Sequence, residues 1–462
     1  MNINCIKKCL DLDWTRTPYL FILGFLFILS RIPLLNLGFG SDPDAWRIAN
    51  SAFDLHYFGI YHPSRFPGYP LPEFFNSLII NYGWLATNAA TMILSLISVY
   101  IFARILKELN IKNKGILVVT YAFLPILWIN SAITMDYMWA LSFILLTWFF
   151  IIRKQYALAG LMMGLAIGSR ITSVILILPF IYLISVENKE IKKIIYFFVT
   201  TCATALFLFL PLYLRYGLNF VSYYPTQTGM SFIWYDMAYY FGILAVLFGL
   251  ILFILSFKKL FENVIKKDEI TIFSLFSIFL VVFLYIWAPY DVSYLIPAIP
   301  FGLLLVNEIS KKNLCGILCV FLLLNSFIYV GLSSDLSVVI GKGAVISDYG
   351  FRTELMNNLD EITANINNSI IISAEYFPIM CYMYEKSQKN KQIIGFGKHD
   401  YKMHWNPEKN VGYIYIARLN EIECWQKEGY NIYYIGGSTV DITKLNYRYN
   451  PRIINIQMPP LH

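Results

Sequence analysis

The sequence has 462 residues, of which 58% are hydrophobic and only 14% charged, against roughly 25% charged in soluble domains. Several apolar runs approach or exceed the roughly 18 residues that cross a hydrocarbon core, so a soluble protein is excluded and a polytopic membrane protein is expected. The net charge of +7 is not a nucleic-acid signature, because the basic residues stand in short loops where they set membrane topology.

In chain order, Lys7, Lys8 and Arg16 precede an apolar run with no small-residue cleavage site after it, which reads as a retained signal-anchor helix. Spans are expected at about 18–38, 78–102, 115–131, 135–152, 156–169, 171–186, 194–214, 237–257, 270–288, 291–307 and 313–332, eleven in all. Basic clusters alternate with them. The first is Lys7, Lys8 and Arg16, followed by Arg104 to Lys114, then Arg153 and Lys154. Lys189 to Lys193, Lys258 to Lys267, and Lys311 with Lys312 complete the set. All six fall on the cytoplasmic side, with the N-terminus inside, if 156–186 crosses twice as a hairpin broken at Gly168-Ser169-Arg170. A single tilted helix there would place Lys189 outside. The hairpin puts the first loop and the C-terminus on the outer face of the cell membrane.

The first outer loop, 39–76, concentrates the chemistry. Asp42 reads as an N-cap and Pro43 as the first helical residue. Ala45, Ile48, Ala49, Ala52 and Phe53 then form one apolar stripe, which predicts a short amphipathic helix in the membrane interface. Prolines 63, 67, 70 and 72 keep the returning chain extended or turned. Other outer loops hold Asp136, Arg170, the aromatic stretch Arg215–Tyr240, and Ala288-Pro289-Tyr290-Asp291. Each ionisable residue also has a bland reading: Asp42 and Asp136 as helix caps, Arg170 snorkelling to headgroups. Their convergence on one face weakens it, because burying ionisable groups at membrane depth is costly.

The membrane part is expected to span 1–335, and a soluble extracytoplasmic α/β domain 341–462. In the latter, Ser369–Ser373 reads as a strand, Glu375–Lys386 as a helix and Gln392–Phe396 as a strand. Val411–Ala417, Asn420–Gly429 and Asn431–Gly436 read as a βαβ unit. His399, Asp400 and His404 match no specific metal spacing, and Gly436-Gly437-Ser438 reads as a turn. Cys315 and Cys319 lie one helical turn apart in an apolar run and carry no redox or metal role. Cys5 and Cys9 are candidates for acylation.

Taken together, these residues resemble the integral-membrane GT-C glycosyltransferases. That superfamily includes protein O-mannosyltransferases and the aminoarabinose transferase that modifies lipid A. The resemblance rests on the acidic pair Asp42 and Asp44, then Gly59 and Tyr61, and then Pro67, Gly68 and Pro70. Pro125 through Asp136 into Ala140, the Gly160, Gly164, Gly168-Ser169-Arg170 and Thr172 series, and Tyr294-Leu295-Ile296-Pro297 extend it. It covers roughly residues 15–335, and the order of the motifs carries more than any one of them. It implies a GT-C-like fold of about 11 transmembrane helices and a polyprenyl-phosphate sugar as donor. It also implies an acidic residue of the first loop as catalytic base. Asp-Pro-Asp stands where many relatives have adjacent acidic residues, so both aspartates are candidates. Asp44 is preferred, since a carboxylate accepting backbone N–H bonds, as Asp42 would, is the weaker base.

The chemistry fits this inventory. A sugar leaving from a lipid phosphate departs as a stable anion, so one base near the acceptor hydroxyl is enough, and a single displacement inverts the anomeric carbon. Fixed positive charge would serve the leaving phosphate, with Arg65 and Arg170 as candidates. Glu73, Asp136, Asp291 and Tyr294 complete the expected substrate-binding set. No cofactor is required, although Asp44 with Asp136 would suit a divalent metal. The expected partners are the lipid-linked donor, membrane lipids and an acceptor hydroxyl on protein, lipid or glycan. The alternative is a transporter or flippase of lipid-linked sugars; against it, the halves show no internal repeat.

Overall fold

The structure, a computed structural model, describes residues 13–187, 190–221, 237–287, 291–332, 338–385, 403–436 and 453–458. Two compact units emerge: residues 1–33, 67–71 and 89–347, and residues 34–66, 72–88 and 348–462. Cys5 and Cys9, the 392–396 strand, His399, Asp400 and Gly437-Ser438 lie outside the described residues, as do 222–236 of the aromatic loop and Ala288 to Tyr290.

The first unit is helical. Among the described residues, six helical runs are long and apolar enough to cross a membrane: Thr17–Leu35, Pro70–Glu108, Ile191–Val221, Ile243–Ile265, Glu269–Trp287 and Val292–Ile309. Shorter apolar helices lie at the other expected spans: Lys114–Phe123, Tyr137–Ile152, Tyr156–Ser169, Ile171–Val186 and Lys312–Leu324. Several spans are not single rods. Leu124 takes an extended backbone before Pro125 and splits 115–131 into Lys114–Phe123 and Pro125–Asn130. The chain also breaks at Arg170 (φ −155°, ψ 113°), the point foreseen for the hairpin turn. The expected span 313–332 is corrected. Its helix stops at Leu324, and Ile328–Leu332 (β1) pairs antiparallel with Val338–Lys342 (β2). Ile328, Tyr329 and Val330, β-branched or aromatic, suit a strand better than a further helical turn.

A buried cation sits in α1 (Thr17–Leu35). Arg31 is 0% exposed, donating to Ser131 Oγ at 3.1 Å, Ser30 Oγ at 2.8 Å and Ala122 O at 2.5 Å. The Ala122 carbonyl lies just before the break at Leu124, so Arg31 supplies a donor where the helical ladder is interrupted. Its faces lie over Phe27 (3.7 Å) and Trp128 (4.6 Å).

Tyr156–Ser169 packs closely along Ile191–Tyr216 through the glycine series. A methyl group on Gly160 would stand 2.3 Å from the Phe197 carbonyl oxygen, and one on Gly164 would stand 2.9 Å from Thr201 O. Backbone cannot yield as a side chain can. Gly160→Ala is therefore expected to cost about 1–3 kcal/mol, the range for overpacking, read as a lower thermal midpoint of the detergent-solubilised protein. An unchanged midpoint would mean that the two helices are not in this close contact.

The second unit carries the soluble-type sequence. Its five-stranded sheet has the order β4-β5-β3-β6-β7, with β3 Ser369–Ile372, β4 His404–Asn406, β5 Val411–Ile414, β6 Asn431–Gly436 and β7 Ile454–Gln457. β3 pairs parallel with both β5 and β6, and its four residues are buried, as a central parallel strand requires. The expected βαβ unit is present, but its helix, Leu419–Lys427, carries the chain over β3, so β5 and β6 are not neighbours. Ile370, Ile372, Ile414, Ile422 and Ile432 fill one core. The long helix Ala344–Asn365 was not foreseen.

The first-loop helix, Pro43–Phe58, belongs to this unit and corrects an expectation. Its apolar stripe does not lie in lipid: Ala45, Trp46, Ile48, Ala49 and Ala52 are all 0% exposed. The helix rests on Phe377–Glu385. Asn50 donates to Pro378 O at 2.8 Å, and Tyr382 meets the rings of Phe39, Trp46 and Phe53. Protein offers Trp46 dense contact on all sides, which a lipid interface cannot.

Candidate active site

The two aspartates of the first loop do different work. Asp42 (φ −84°, ψ 129°) is the N-cap, accepting the Asp44 N–H at 2.8 Å. Asp44 sits in the first turn and takes Arg47 on one oxygen and Arg65 on the other. It remains reachable: its side chain is 20% exposed, with Arg65 at 21% and Arg47 at 31%. Arg47 comes from the same helix, one turn on. Burial lowers its proton affinity below the ordinary arginine value, and Asp42, Tyr415, Glu375 and Cys381 work against that.

Arg65 is aimed by the loop around it. Gly59 ends the helix in the left-handed region (φ 65°), its N–H returning to Leu55 O. Ser51 Oγ donates to His62 O at 2.5 Å, pinning the returning strand to the helix. Glu73 is 0% exposed, and its carboxylate accepts the Ser64 N–H at 2.7 Å and the Tyr61 hydroxyl. A buried carboxylate tied to the residue beside Arg65 closes the loop and sets the direction of that arginine.

A second cluster forms in the helical unit. Arg170 Nη1 donates to Asp136 Oδ2 at 2.5 Å, and the pair is buried, with side-chain exposures of 4% and 0%. Tyr137 and Tyr294 cover the guanidinium, with ring centroids 4.1 and 4.2 Å from its carbon; Tyr69 lies at 5.8 Å. Asp291 caps the 3-10 segment Val292–Ala298 by accepting the Ser293 N–H at 2.9 Å, and its other oxygen takes the Tyr137 hydroxyl at 2.7 Å. Asp136, Arg170, Asp291 and Tyr294 are thus brought into one network, while Asp42, Asp44, Arg65 and Glu73 form the other, in the second unit.

Arg47 and Tyr137 were missed. The signal for Arg47 was present, since an arginine three residues after Asp44 shares its helix face. Nothing in the sequence distinguished Tyr137 from the other 33 of the 34 tyrosines. As for a divalent metal, Asp44 and Asp136 are each already neutralised by arginine, which competes with a cation. Among the described residues no group of three or more His, Cys, Asp or Glu gathers to hold one. The donor set therefore does not fit a bound metal as it stands. His404 is 7% exposed and lies 3.9 Å from Cys381 Sγ, inside the domain core.

No protein-family model matches the chain, and no curated protein matches its sequence. Solved structures that resemble it include two of ArnT from Cupriavidus metallidurans. The apo form aligns with a TM-score of 0.47 and 12% identity over 63% of this chain and 59% of its own, less than two thirds of its length. The form bound to undecaprenyl phosphate aligns with a TM-score of 0.51 and 9% identity over 95% of this chain and 90% of its own. By this second likeness, which runs over nearly the whole of both chains, the protein shares the fold of that ArnT structure, here built from apolar helices long enough to cross a membrane and a small sheet domain.

Proposed function

We propose that the protein is an inverting glycosyltransferase, moving a sugar from a polyprenyl-phosphate donor to an acceptor hydroxyl at the outer face of the cell membrane. The observation that supports it most is Asp44, a partly exposed carboxylate in the first turn of its helix, with Arg47 and Arg65 beside it. It sits in a fold whose neighbour was solved with undecaprenyl phosphate. In this reading Asp44 takes the proton of the acceptor hydroxyl as its oxygen attacks the anomeric carbon. The bond from that carbon to the phosphate oxygen breaks, and polyprenyl phosphate leaves as an anion. Arg65 and Arg47, in the same unit as Asp44, supply fixed positive charge for the phosphate, and Arg170 is a separate candidate for that task in the helical unit. Asp42 and Glu73 hold the loop in shape. The eleven-span topology with an outer C-terminal domain belongs to the same proposal.

The direct test incubates membranes containing the protein with labelled polyprenyl-phosphate sugars and follows the label. Transfer to an acceptor supports the reading; label that crosses the bilayer still attached to its lipid supports the transporter alternative.

Arg170 gives a sharper prediction. Arg170→Ala alone would strand the buried Asp136 charge, which costs about 3–5 kcal/mol of stability. The pair Arg170→Gln with Asp136→Asn removes the cation without leaving an orphan charge. Transfer by this double variant is expected to fall by about two to three powers of ten, with a thermal midpoint near that of the parent. Normal transfer would remove Arg170 from the site.

A further inference from the structure

We propose that Tyr137 and Asp291 form a latch that fixes the plane of the Arg170 guanidinium for edge-on contact with the donor phosphate, making Tyr137 a positioning residue. This rests on the glycosyltransferase reading above. The contacts close on themselves. Asp291 caps the segment Val292–Ala298, and that segment carries Tyr294. Tyr294 covers the guanidinium of Arg170 at 4.2 Å, Tyr137 covers it at 4.1 Å, and the Tyr137 hydroxyl returns to Asp291 at 2.7 Å. The Tyr294 N–H also meets Asp291 O at 3.0 Å, so ring and cap move as one piece.

The geometry matters because a guanidinium donates only in its own plane. The two ring centroids lie 4.1 and 4.2 Å from the guanidinium carbon and 6.2 Å from each other, so the rings meet it from two different sides and together restrict its turning. Asp136 occupies Nη1. Nε and Nη2 are the other donors of this guanidinium, and their fork matches two oxygens of one phosphate group. Tyr137 touches neither sugar nor phosphate in this arrangement; it acts through Arg170. Sequence spacing shows none of this, since Tyr137, Arg170 and the Asp291–Tyr294 segment stand far apart along the chain.

The experiment measures the dissociation constant of undecaprenyl phosphate for the full chain in detergent, together with its thermal midpoint. Tyr137→Phe keeps the ring over Arg170 and deletes the hydroxyl. Binding is expected to weaken about tenfold, the scale of one lost hydrogen bond to a charged group, with the midpoint little changed. Tyr137→Leu, which also removes the ring from beside Arg170, should weaken binding further. Asp291→Ala should weaken binding as Tyr137→Phe does, and the double variant should lose no more than the worse single one. Parent-like binding by Tyr137→Phe, or a loss that only follows a fallen midpoint, would overturn the latch while leaving the glycosyltransferase reading intact. A parent chain that neither binds undecaprenyl phosphate nor transfers from a polyprenyl-phosphate sugar would overturn both.

Discussion

Asp44→Asn is expected to lower sugar transfer by about two to four powers of ten, the usual worth of a general base, while donor binding and membrane insertion survive. Asparagine keeps the shape of the side chain and one carbonyl acceptor for an arginine. It cannot take a proton from the acceptor hydroxyl at neutral pH, and its amide group faces one of the two arginines as donor against donor. Asp42→Asn should be far milder, because asparagine caps a helix about as well as aspartate and the Asp44 N–H keeps its acceptor. The pair of variants separates base from cap within a single turn of helix. Purified variants given a labelled polyprenyl-phosphate sugar would decide it. Near-normal transfer by both would mean that the first loop does not hold the base. A large loss in Asp42→Asn with little in Asp44→Asn would exchange their roles.

The membrane part was legible because a bilayer permits few solutions. Backbone groups must be satisfied within helices, so each long apolar run announces itself, and each expected span lies at an apolar helix. The cap at Asp42 and the break at Arg170 were equally readable, being local rules of Asp-Pro and of glycine-rich sequence. What failed was partnership. The stripe on Pro43–Phe58 fits lipid and protein alike, and only the distant residues Pro378 and Tyr382 decide for protein. Arg31 looked like any residue near a span end, yet its carbonyl and hydroxyl partners lie some hundred positions along the chain. Glu73 follows Pro70 and Pro72 in the first turn of the helix Pro70–Ile79, and it is wholly buried, with its carboxylate held by Tyr61 and the Ser64 N–H. Local sequence carries capping and span length; it does not carry which long-range face closes over a polar side chain.

Arg352→Ala is expected to destabilise the protein by about 3–5 kcal/mol, the cost of breaking a buried charged network by removing one member. Arg352 lies on the helix Ala344–Asn365 and is 0% exposed. Its Nη2 donates to Leu34 O at 2.7 Å and its Nε to Leu37 O at 3.0 Å, with Gly38 O at 3.4 Å. Leu34 lies in the last turn of α1 and Leu37 and Gly38 just past its end, where carbonyls run short of helical donors and the helix dipole favours a cation. Asn88 adds donors to Leu35 O at 3.0 Å and Gly38 O at 2.8 Å. Burial lowers the proton affinity of Arg352, and Asp348, 3.7 Å away, restores part of it. Truncation would strand both the carbonyls and Asp348, which also holds the Ser41 hydroxyl at 2.8 Å, one residue before the Asp42 cap. Arg352→Lys should recover only part of the loss, since one ammonium cannot reach Leu34 and Leu37 in the fork geometry. Adding Asp348→Asn to Arg352→Ala should restore a further part by removing the orphan charge. The thermal midpoint in detergent reads all three. A parent-like midpoint for Arg352→Ala would mean that water serves these carbonyls as well as arginine does, and that the cap does not hold the approach to the first loop.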